Sequence, residues 1–452
     1  MATPLMMSVS GIRGVVGETM TPELILRAGS AFARYVKGGT VVIGRDSRPT
    51  GEAISRGMQS VLALAGCDVV DIGIVPTPTV QVMVEELGAA GGIVISASHN
   101  PIQWNAFKLI NRTGAFLTGT EINRYFSMMD MPVQSKPWDR VGTITGNTES
   151  HRIHIQKVLS VINRSSIKKK KFTVVLDSVN GAGSVITPEL LEQLGCRLIP
   201  LFCDPGRPFP RGAEPLPENL KALAAAVKKH GADIGFAQDP DADRLAIVDE
   251  HGRPIGEELT VSLATEHLLS KEPGLVVVNL STTKTVEAIA RSHGARFLRA
   301  KVGEINVVEE MRKKKARIGG EGNGGVISPE VHLGRDSLVG IGYVLDMMAR
   351  RKKTISGIVA SLPRFAMRKG KVSFDPSAFD SSSLEKIRAD FTGEKISDID
   401  GLRIDFVKSG PFKGGWVHLR PSNTEPVFRI IAEGEDSDQA DAIYGHFQRI
   451  FS

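Results

Sequence analysis

The sequence predicts an α/β protein with three similar α/β domains in series and a smaller C-terminal α+β domain. Two observations lead to this prediction: helix and strand patterns alternate over most of the chain, and the alternation restarts twice. A third is length, because 452 residues exceed what one hydrophobic core ordinarily supports. With several domains, we expect an active site between them.

The elements of the first unit are helices over 22–36 and 51–65 and strands over 40–44, 68–73 and 92–96. The pattern restarts at Phe172 with FTVVLD and at Gly274 with GLVVVNL, each followed by a helix and a further strand. From about Gly370, antiparallel strand signals surround one helix and precede another. We therefore predict domains over 1–150, 151–254, 255–368 and 369–452.

Composition excludes several classes of function. No apolar run approaches the roughly 20 residues that cross a bilayer, and the first residues carry no secretory pattern. Three widely spaced cysteines fit neither a disulfide framework nor a zinc site. The net charge of +6 is dispersed among 50 acidic residues, and a small anionic substrate explains it as well as nucleic acid does. We expect a cytoplasmic protein that binds neither membrane nor nucleic acid.

The segment SASHNP, Ser96 to Pro101, follows the predicted buried strand GIVIS at its carboxyl end. Functional residues collect at such strand ends in α/β layers. The hydroxyl of Ser98 can act as a nucleophile or carry a phosphate, and Lys108, ten residues on, can carry a proton. The alternative is that Ser98 and Asn100 only cap a turn.

The segment AQDPDADRLAIVDE contains three alternating carboxylates, Asp239, Asp241 and Asp243, which can converge on one hard divalent cation. An EF-hand is a rival interpretation, because Glu250 falls at the twelfth position. It fails at the sixth position, where Arg244 replaces the required glycine, and a strand follows instead of a helix. Mg²⁺ suits such a site because it readily shares its coordination with a phosphate. A solvated acidic turn is the alternative.

Two further loops carry polar groups suited to a sugar phosphate. GGEGNGGVIS sets Glu321 and Asn323 between glycines, where a carboxylate and an amide can bind vicinal hydroxyls, or where the chain is simply a flexible turn. RPSNTEPVFR offers groups that suit a phosphate dianion, although surface arginines are usually only solvated. These groups are Arg420, Ser422, Asn423, Thr424 and Arg429.

Taken together, the loops resemble the α-D-phosphohexomutase family over essentially the whole chain. The matching motifs are SGIRG at 10–14, ASHNP at 97–101, DPDADR at 239–244, GEGNGG at 320–325 and RPSNTEP at 420–426, supported by GRDSR at 44–48 and DSVNGAG at 177–183. The resemblance implies four domains around one cleft and an isomerase that interconverts hexose 6-phosphates and hexose 1-phosphates. It also implies a 1,6-bisphosphate intermediate, with glucose or glucosamine 1,6-bisphosphate as activator.

Residue roles follow from the same resemblance. It implies that Ser98 is carried as phosphoserine and that Mg²⁺ is bound by Asp239, Asp241, Asp243 and a phosphate oxygen on Ser98. The catalytic residues it implies are Ser98, Lys108, Arg13, Arg244 and His99. The substrate-binding residues it implies are Lys301, Gly303, Glu304, Glu321, Asn323, Arg420, Ser422, Asn423, Thr424 and Arg429. The expected partner is a small sugar phosphate, and the expected assembly is a monomer or a homodimer.

The third loop departs from the family pattern. Many members read GExSGH, whereas this chain reads GEGNGG and lacks the serine and the histidine. Asn323 can replace the serine as a partner of a sugar hydroxyl. A second departure is FPRGAEP, which has Arg211 where relatives often have histidine.

The segment RAKVGE at 299–304 bears on the choice of sugar. It is closer to the RAKVGD of family members that act on glucosamine phosphate than to the KTGH of those that act on mannose and glucose phosphates. Glu304 could pair with the 2-ammonium group. We therefore expect conversion of glucosamine 6-phosphate to glucosamine 1-phosphate, with mannose or glucose phosphates as the alternative. Remoter alternatives are a metal-dependent sugar phosphatase and a non-catalytic sugar-phosphate binder.

Overall fold

The computed structural model describes residues 5–373, 381–421 and 427–451. These residues form four β-sheets that follow one another along the chain, each packed against helices. The predicted class, three α/β domains and a C-terminal α+β domain, is confirmed. The predicted domain boundaries remain predictions. Over the described ranges, no helix combines the length and the apolar character needed to cross a membrane.

The first sheet is mixed and belongs to domain I. Its strands are β1 (Met6–Ser8), β2 (Gly11–Val15), β3 (Gly39–Arg45), β4 (Cys67–Ile74), β5 (Gly91–Ile95), β6 (Trp104–Asn111) and β7 (Ile144–Gly146). The helices around it are α1 (Pro22–Val36), α2 (Gly51–Leu64), α3 (Thr77–Glu86) and α4 (Gly119–Met129). The strand order is β1-β2-β6-β5-β3-β4-β7, with β6 antiparallel to β5. The sequence patterns did not indicate α3 or β6.

Domains II and III repeat one plan. The elements of domain II are α5 (Ser150–Ser160), α6 (Arg164–Lys170), β8 (Thr173–Asp177), α7 (Gly183–Gln193), β9 (Arg197–Leu201), α8 (Lys221–His230), β10 (Ile234–Gln238) and β11 (Leu245–Val248). Those of domain III are α9 (Glu258–Leu269), β12 (Val276–Asn279), α10 (Lys284–Ser292), β13 (Phe297–Ala300), α11 (Glu304–Lys314), β14 (Ile318–Glu321), β15 (Gly325–Ile327), α12 (Ser337–Arg351) and α13 (Ile355–Val359).

The strand orders β9-β8-β10-β11 and β13-β12-β14-β15 match β4-β3-β5-β6 of domain I. In each, the last strand runs antiparallel to its neighbour. The connection before that strand is therefore a hairpin at the carboxyl end of a buried strand. These three hairpins contain the serine loop (96–103), the aspartate loop (239–244) and the glycine loop (320–325), so the repeat places all three at equivalent positions.

Domain IV has a different plan. Its described elements are β16 (Ala366–Ser373), α14 (Ser381–Asp390), β17 (Lys395–Ser397), β18 (Leu402–Asp405), β19 (Trp416–Pro421), β20 (Val427–Gly434) and α15 (Ser437–Ile450). The sheet is antiparallel, in the order β16-β20-β19-β18-β17. This agrees with the antiparallel strand signals in the sequence.

Local chemistry fixes the helix ends, and helix α1 illustrates how. The Thr21 side chain accepts a hydrogen bond from the Leu24 amide, and Pro22 occupies the first turn, where its missing N–H costs nothing. Lys37 ends the helix in the left-handed conformation. The helix buries Leu24 and Phe32 against the sheet of domain I, which has its own core. Packing of this apolar face supplies most of the helix's stability.

A buried polar network joins the first three domains. His154 of domain II lies with Nδ1 2.9 Å from Thr79 Oγ1 of domain I and Nε2 2.8 Å from Asp336 Oδ2 of domain III. His332 Nε2 lies 3.2 Å from the same carboxylate oxygen, while Asp336 Oδ1 caps helix α12. Because these imidazole and carboxylate groups hydrogen-bond to one another, we interpret them as a structural network and not as a metal site.

A buried carboxylate is one of the contacts that attach domain IV to domain III. Glu433 of β20, 1% exposed, accepts hydrogen bonds from the Thr283 hydroxyl, from the Lys284 amide at 2.8 Å and from Trp416 Nε1 at 2.5 Å. Lys284 Nζ also donates to the Gly414 carbonyl at 2.6 Å. Glu433 therefore accepts hydrogen bonds from donors at the N-terminus of α10 in domain III and from an indole N–H in domain IV.

We expect Glu433→Ala to weaken this attachment by about 3 kcal/mol, because it leaves three buried donors without their acceptor. Scanning calorimetry should show a transition at lower temperature than in the parent protein. The exposed neighbour Glu435→Gln is the matched control and should leave the profile unchanged. An unchanged profile for Glu433→Ala would show that the carboxylate does not hold domain IV.

Candidate active site

A cleft of about 430 Å³ is lined by described residues of all four domains. Most of the predicted site residues line it, namely Arg13, His99, Lys108, Arg244, Gly303, Glu304, Glu321, Asn323, Arg420 and Arg429. Ser98 and the three aspartates are buried beside it. Side chains from every predicted loop are thus brought to one place.

Some predicted residues are not among these lining groups. Lys301, the residue after strand β13, is exposed and is not among the residues that line the cleft. Ser422, Asn423 and Thr424 lie outside the described residues. Their predicted role in phosphate binding stays a prediction.

The serine loop is held by a buried ion pair within the GRDSR motif. Asp46 and Arg48 are 0% and 1% exposed, and Asp46 Oδ2 lies 3.0 Å from Arg48 Nε. The Arg48 guanidinium donates to the carbonyls of Ser98, Asn100 and Pro101 at 2.6–2.7 Å. One side chain therefore fixes the path of the loop by binding carbonyl groups that water would otherwise solvate.

Ser98 itself adopts a positive φ of 48°, in the left-handed region that few residues other than glycine occupy. Its amide donates to Ser96 Oγ at 3.0 Å, and its hydroxyl donates to Asp239 Oδ2 at 2.8 Å. Ser96 in turn donates to Asp46 at 2.6 Å. The hydroxyl is thus aimed from domain I at the aspartate loop of domain II.

The aspartate loop offers three carboxylate ligands for a hard cation. Asp239, Asp241 and Asp243 are each 0% exposed, and one carboxylate oxygen from each lies within 4.8 Å of the others. Oδ1 of Asp241 and of Asp243 is buried without a hydrogen-bond partner among the described residues. Buried carboxylate oxygens that lack donors are the ligands that a divalent cation takes. The residues present therefore fit such an ion.

The backbone of this loop is fixed by neighbouring domains. The amide of Thr77 in domain I donates to the Asp241 carbonyl at 3.0 Å. Ser337 Oγ in domain III donates to the Ala242 carbonyl at 2.6 Å. Within domain II, Gly181 has no side chain, and a Cβ there would lie 2.5 Å from the Pro240 carbonyl oxygen. This close approach explains a glycine of the DSVNGAG motif.

Lys108 supplies the first counter-charge. Its ammonium, 3% exposed, donates to Asp241 Oδ2 and lies 3.4 Å from Asp243 Oδ2. Burial opposes ionisation of Asp241, yet Lys108 and the Thr77 hydroxyl hold the pKa of that carboxyl below its ordinary value. Burial and the negative charges of Asp243 and Asp241 raise the pKa of Asp239 well above its ordinary value. Negative charge on the triad is therefore only partly balanced by the protein.

Arg244 reaches the triad from the other side and is itself anchored. Its Nη1 donates to Glu214 Oε1 at 2.6 Å, and Nε lies 3.9 Å from Asp239 and 3.8 Å from Asp243. The loop that carries Glu214 is pinned by Arg211, which forms a bidentate pair with Asp177 at 2.8 and 3.0 Å. Arg211, the departure noted in the sequence, therefore fixes the residue that orients Arg244.

Arg13 and His99 complete the wall around Ser98. Arg13 Nη1 donates to Asn100 Oδ1 at 3.1 Å. Burial and the nearby Arg244 lower the pKa of Arg13. The charge of Arg244, then burial and Arg13, lower the pKa of His99 to about 2. Arg13 and Arg244 therefore place two positive charges beside His99, on the side of the serine loop where an anion would be favoured.

The glycine loop presents a fixed carboxylate. Glu321 Oε1 accepts hydrogen bonds from Asn279 Nδ2 at 2.8 Å and from the Gly303 amide at 2.9 Å. Asn323 Oδ1 accepts from the Gly325 amide at 3.3 Å, so the asparagine closes a tight turn. A Cβ at Gly322 would lie 2.1 Å from the Glu258 carboxylate. Glu258 therefore fills the space above the loop and is paired with Lys369 Nζ at 2.7 Å.

Sequence reasoning missed several of these groups. Arg335, Glu214, Glu258 and Lys369 all line the cleft. Arg335 was detectable only indirectly, because it precedes Asp336 and Ser337 in a capping pattern at the start of helix α12. Glu214 lies in the FPRGAEP segment, where attention fell on Arg211, and the other two lie in segments that carry no motif.

The opposite end of the cleft is formed by domain IV. Arg420 and Arg429 are direct cross-strand partners on β19 and β20. Two like charges in register repel each other, and an anion between them relieves the repulsion. Asp400 fixes Arg420 Nε at 3.1 Å and accepts from the Val302 amide at 2.9 Å, which links this end to domain III. The cleft therefore has two cationic ends.

Four family models match the chain in order. They are described as phosphoglucomutase/phosphomannomutase, alpha/beta/alpha domain I (residues 5–128), domain II (152–252) and domain III (256–365), and the phosphoglucomutase/phosphomannomutase C-terminal domain (375–446). Together they span most of the chain.

Individual proteins show the same likeness over nearly full length. A Methanopyrus kandleri protein named "Probable phosphoglucosamine mutase" is 34% identical over 97% of this chain and 96% of its own. A Thermococcus kodakarensis protein named "Phosphoglucomutase/phosphomannomutase" is 36% identical over 95% and 94%. The crystal structure of a Burkholderia thailandensis phosphoglucomutase/phosphomannomutase family protein aligns with a TM-score of 0.83 at 28% identity, covering 98% and 97%. This chain therefore belongs to the phosphoglucomutase/phosphomannomutase family and is a phosphohexomutase, an isomerase.

Proposed function

We propose that the enzyme converts glucosamine 6-phosphate to glucosamine 1-phosphate through phosphoserine at Ser98 and a 1,6-bisphosphate intermediate. The observation that carries this proposal is the pair of cationic ends on one cleft, with Ser98 and the carboxylate triad at one of them. Such a cleft suits a sugar that bears a phosphate on each side. Glucosamine or glucose 1,6-bisphosphate would accordingly act as the activator.

Ser98 is the residue that exchanges the phosphoryl group in this scheme. The bond between phosphorus and Ser98 Oγ breaks as a bond to a sugar hydroxyl oxygen forms, and the hydroxyl proton is transferred to the serine oxygen. Lys108 lines the cleft beside the triad and is placed to carry that proton. Arg13 and Arg244 face the same region and supply positive potential to the transferred group.

Asp239, Asp241 and Asp243 would hold Mg²⁺ together with a phosphate oxygen on Ser98. When bound, Mg²⁺ supplies positive charge that offsets the negative charge developing on the transferred phosphoryl group. The support for this ion is the buried carboxylate set and its unpartnered oxygens. A cytoplasmic location and a monomeric or homodimeric state remain part of the proposal and stand on the sequence alone.

Arg420 and Arg429 would bind the phosphate that is not reacting, together with Ser422, Asn423 and Thr424 as predicted from the sequence. A phosphatase has no need of this second end, because it releases phosphate to water after one transfer. Glu321 and Asn323 would bind sugar hydroxyls, with Gly303 in the adjoining segment, while the predicted role of Lys301 rests on the sequence alone.

Glu304 supports the amino sugar over its alternatives. It is 6% exposed, lines the cleft and has a buried Oε2 without a hydrogen bond among the described residues. Arg335 is shared between Glu304, Glu321 and Asp243, so one cation faces three carboxylates. A ligand ammonium group would reduce this imbalance. Mannose or glucose phosphate, which relatives' names also suggest, is the second candidate.

The test of the serine role is Ser98→Ala. We expect kcat to fall to about 10⁻⁴ of the parent value or lower, because no other group in the scheme carries the phosphoryl group. Isomerisation is followed with Mg²⁺ and a bisphosphate activator, and free phosphate is measured in the same samples. The exposed Ser127→Ala is the control. Parent-like turnover by Ser98→Ala, or phosphate release equal to substrate loss in the parent enzyme, would contradict the proposal.

Arg420→Ala should act mainly on binding. We expect KM for the sugar phosphate to rise by about 10- to 100-fold with a smaller change in kcat, because a charge-assisted contact to the remote phosphate is lost. Steady-state kinetics on one substrate measure both constants. A KM equal to that of the parent enzyme would remove Arg420 from the phosphate site.

Glu304→Gln tests the choice of sugar. The substitution keeps the shape but removes the charge, so kcat/KM on glucosamine phosphate should fall by about tenfold or more. The value on glucose phosphate should change by less than about twofold, since it lacks the ammonium group. Rates on glucosamine, glucose and mannose phosphates are measured in parallel. Equal losses on all three would assign Glu304 a general role, and a parent preference for glucose or mannose would favour the second candidate.

A further inference from the structure

Arg335 is the side chain that connects the aspartate loop to the glycine loop. Its Nη2 donates to Asp243 Oδ2 at 2.7 Å and its Nη1 donates to Glu321 Oε2 at 2.8 Å. Its Nε lies 3.0 Å from Glu304 Oε2. A planar guanidinium can hold three carboxylates in fixed directions at once, which a lysine ammonium on a flexible stem cannot.

These contacts set which oxygen of each carboxylate faces the cleft or the triad. Asp243 Oδ2 is occupied by Arg335, so the unpartnered Oδ1 is left for a cation. Glu321 is held at both oxygens, by Arg335 at Oε2 and by Asn279 at Oε1. Because Arg335 is only 9% exposed, water competes weakly with these bonds.

The missing side chain at Gly325 makes this arrangement possible. A Cβ at position 325 would lie 2.2 Å from Arg335 Cδ and 2.8 Å from Cγ, far inside the contact limit. Gly325 lies in strand β15 and does not have a positive φ. Its glycine character is therefore explained by space for Arg335 and not by backbone conformation.

We propose that Arg335 is a positioning residue that couples the sugar-binding pair Glu304 and Glu321 to the cation ligand Asp243, and that Gly325 is required because Arg335 occupies its side-chain space. The inference rests on the proposed function for the identity of the ligands. It assigns a role to a residue outside the motifs of the sequence, and it makes the two positions interdependent.

The coupling predicts two linked losses when Arg335 is removed. Sugar-phosphate affinity falls because Glu304 and Glu321 lose their common partner and repel each other. Affinity for a divalent cation changes because Asp243 can rotate and present either oxygen. A side chain with a purely structural role would lower thermal stability without producing both losses.

The experiment is a double-mutant cycle on Arg335→Ala and Gly325→Ala, with Arg335→Lys as the charge-conserving variant. Affinity for glucosamine 6-phosphate and for glucose 1-phosphate is measured by calorimetry in a Ser98→Ala background, where no turnover interferes. Affinity for Mn²⁺ alone is measured in the same way with Ser98 intact. Melting temperatures are recorded for every variant.

We expect each single variant to weaken sugar-phosphate binding by about tenfold or more. The two single variants should also shift the Mn²⁺ affinity in the same direction as each other. Gly325→Ala should cost little once Arg335→Ala is present, because alanine removes the Cγ and Cδ atoms that the new Cβ would meet, so the double variant should resemble the singles. Arg335→Lys should recover only part of the loss, because its three N–H donors sit on a flexible stem and not in a fixed planar fork.

Losses that multiply in the double variant, or Arg335→Ala with parent affinities, would overturn the proposal. The proposed function fails separately, if the parental Ser98→Ala protein binds neither sugar phosphate. In that case the Mn²⁺ cycle still decides the Arg335 role, since it needs no sugar. A fall in melting temperature with unchanged affinities would reduce Arg335 to a structural residue.

Discussion

The buried carboxylates of the aspartate loop impose the constraint on which the rest of the site depends. Three ionisable groups with no exposed surface cannot stay together unless cations balance them. The cations come from three domains: Lys108 from domain I, Arg244 from domain II and Arg335 from domain III. Convergence of the domains on this loop is therefore an electrostatic requirement as well as a packing outcome. Burial, and then the charges of Asp243 and Asp241, raise the pKa of Asp239 well above its ordinary value.

Repetition of one topology explains how the chain meets this requirement. Each α/β domain ends a buried strand in a hairpin whose return strand is antiparallel. A hairpin at that position exposes a short loop at the carboxyl edge of the sheet, where side chains can reach outward. Three copies of the plan supply a serine, a cation-ligand set and a carboxylate from equivalent places. Their different chemistry is confined to a few residues, while the strands beneath them keep the same order.

Much of the fold could be predicted from the sequence because helix and strand periods are local. Strands such as β3, β8 and β12 are continuous apolar runs that end in polar loops, as expected for parallel strands covered on both faces. Strand β6 was not predicted because its sequence, WNAFKLIN, carries a lysine at a buried position. Its pairing with β5 depends on tertiary structure, which local patterns do not report. The site was predicted where its chemistry is contiguous, as at Ser98 and the aspartates.

Residues brought together from distant positions could not be predicted in this way. Arg335 lies 92 residues from Asp243, its partner on the aspartate loop, and Lys369 lies 111 residues from Glu258. Nothing local distinguishes them from surface charges. Lys301 shows the converse, since its motif is local and yet the residue is exposed and does not line the cleft, so its predicted role stays a prediction.

The GRDSR motif shows why a buried charge pair persists at a cost in stability. A desolvated pair such as Asp46 and Arg48 gains little net free energy over an apolar pair. Ser98, however, needs a left-handed backbone conformation that costs about 1–3 kcal/mol and survives only if its surroundings enforce it. The loop carbonyl groups point in different directions, so they need a side chain with several N–H donors. The buried guanidinium of Arg48 supplies these donors. The ion pair therefore fixes the path of the serine loop, and this holds Ser98 in its strained conformation.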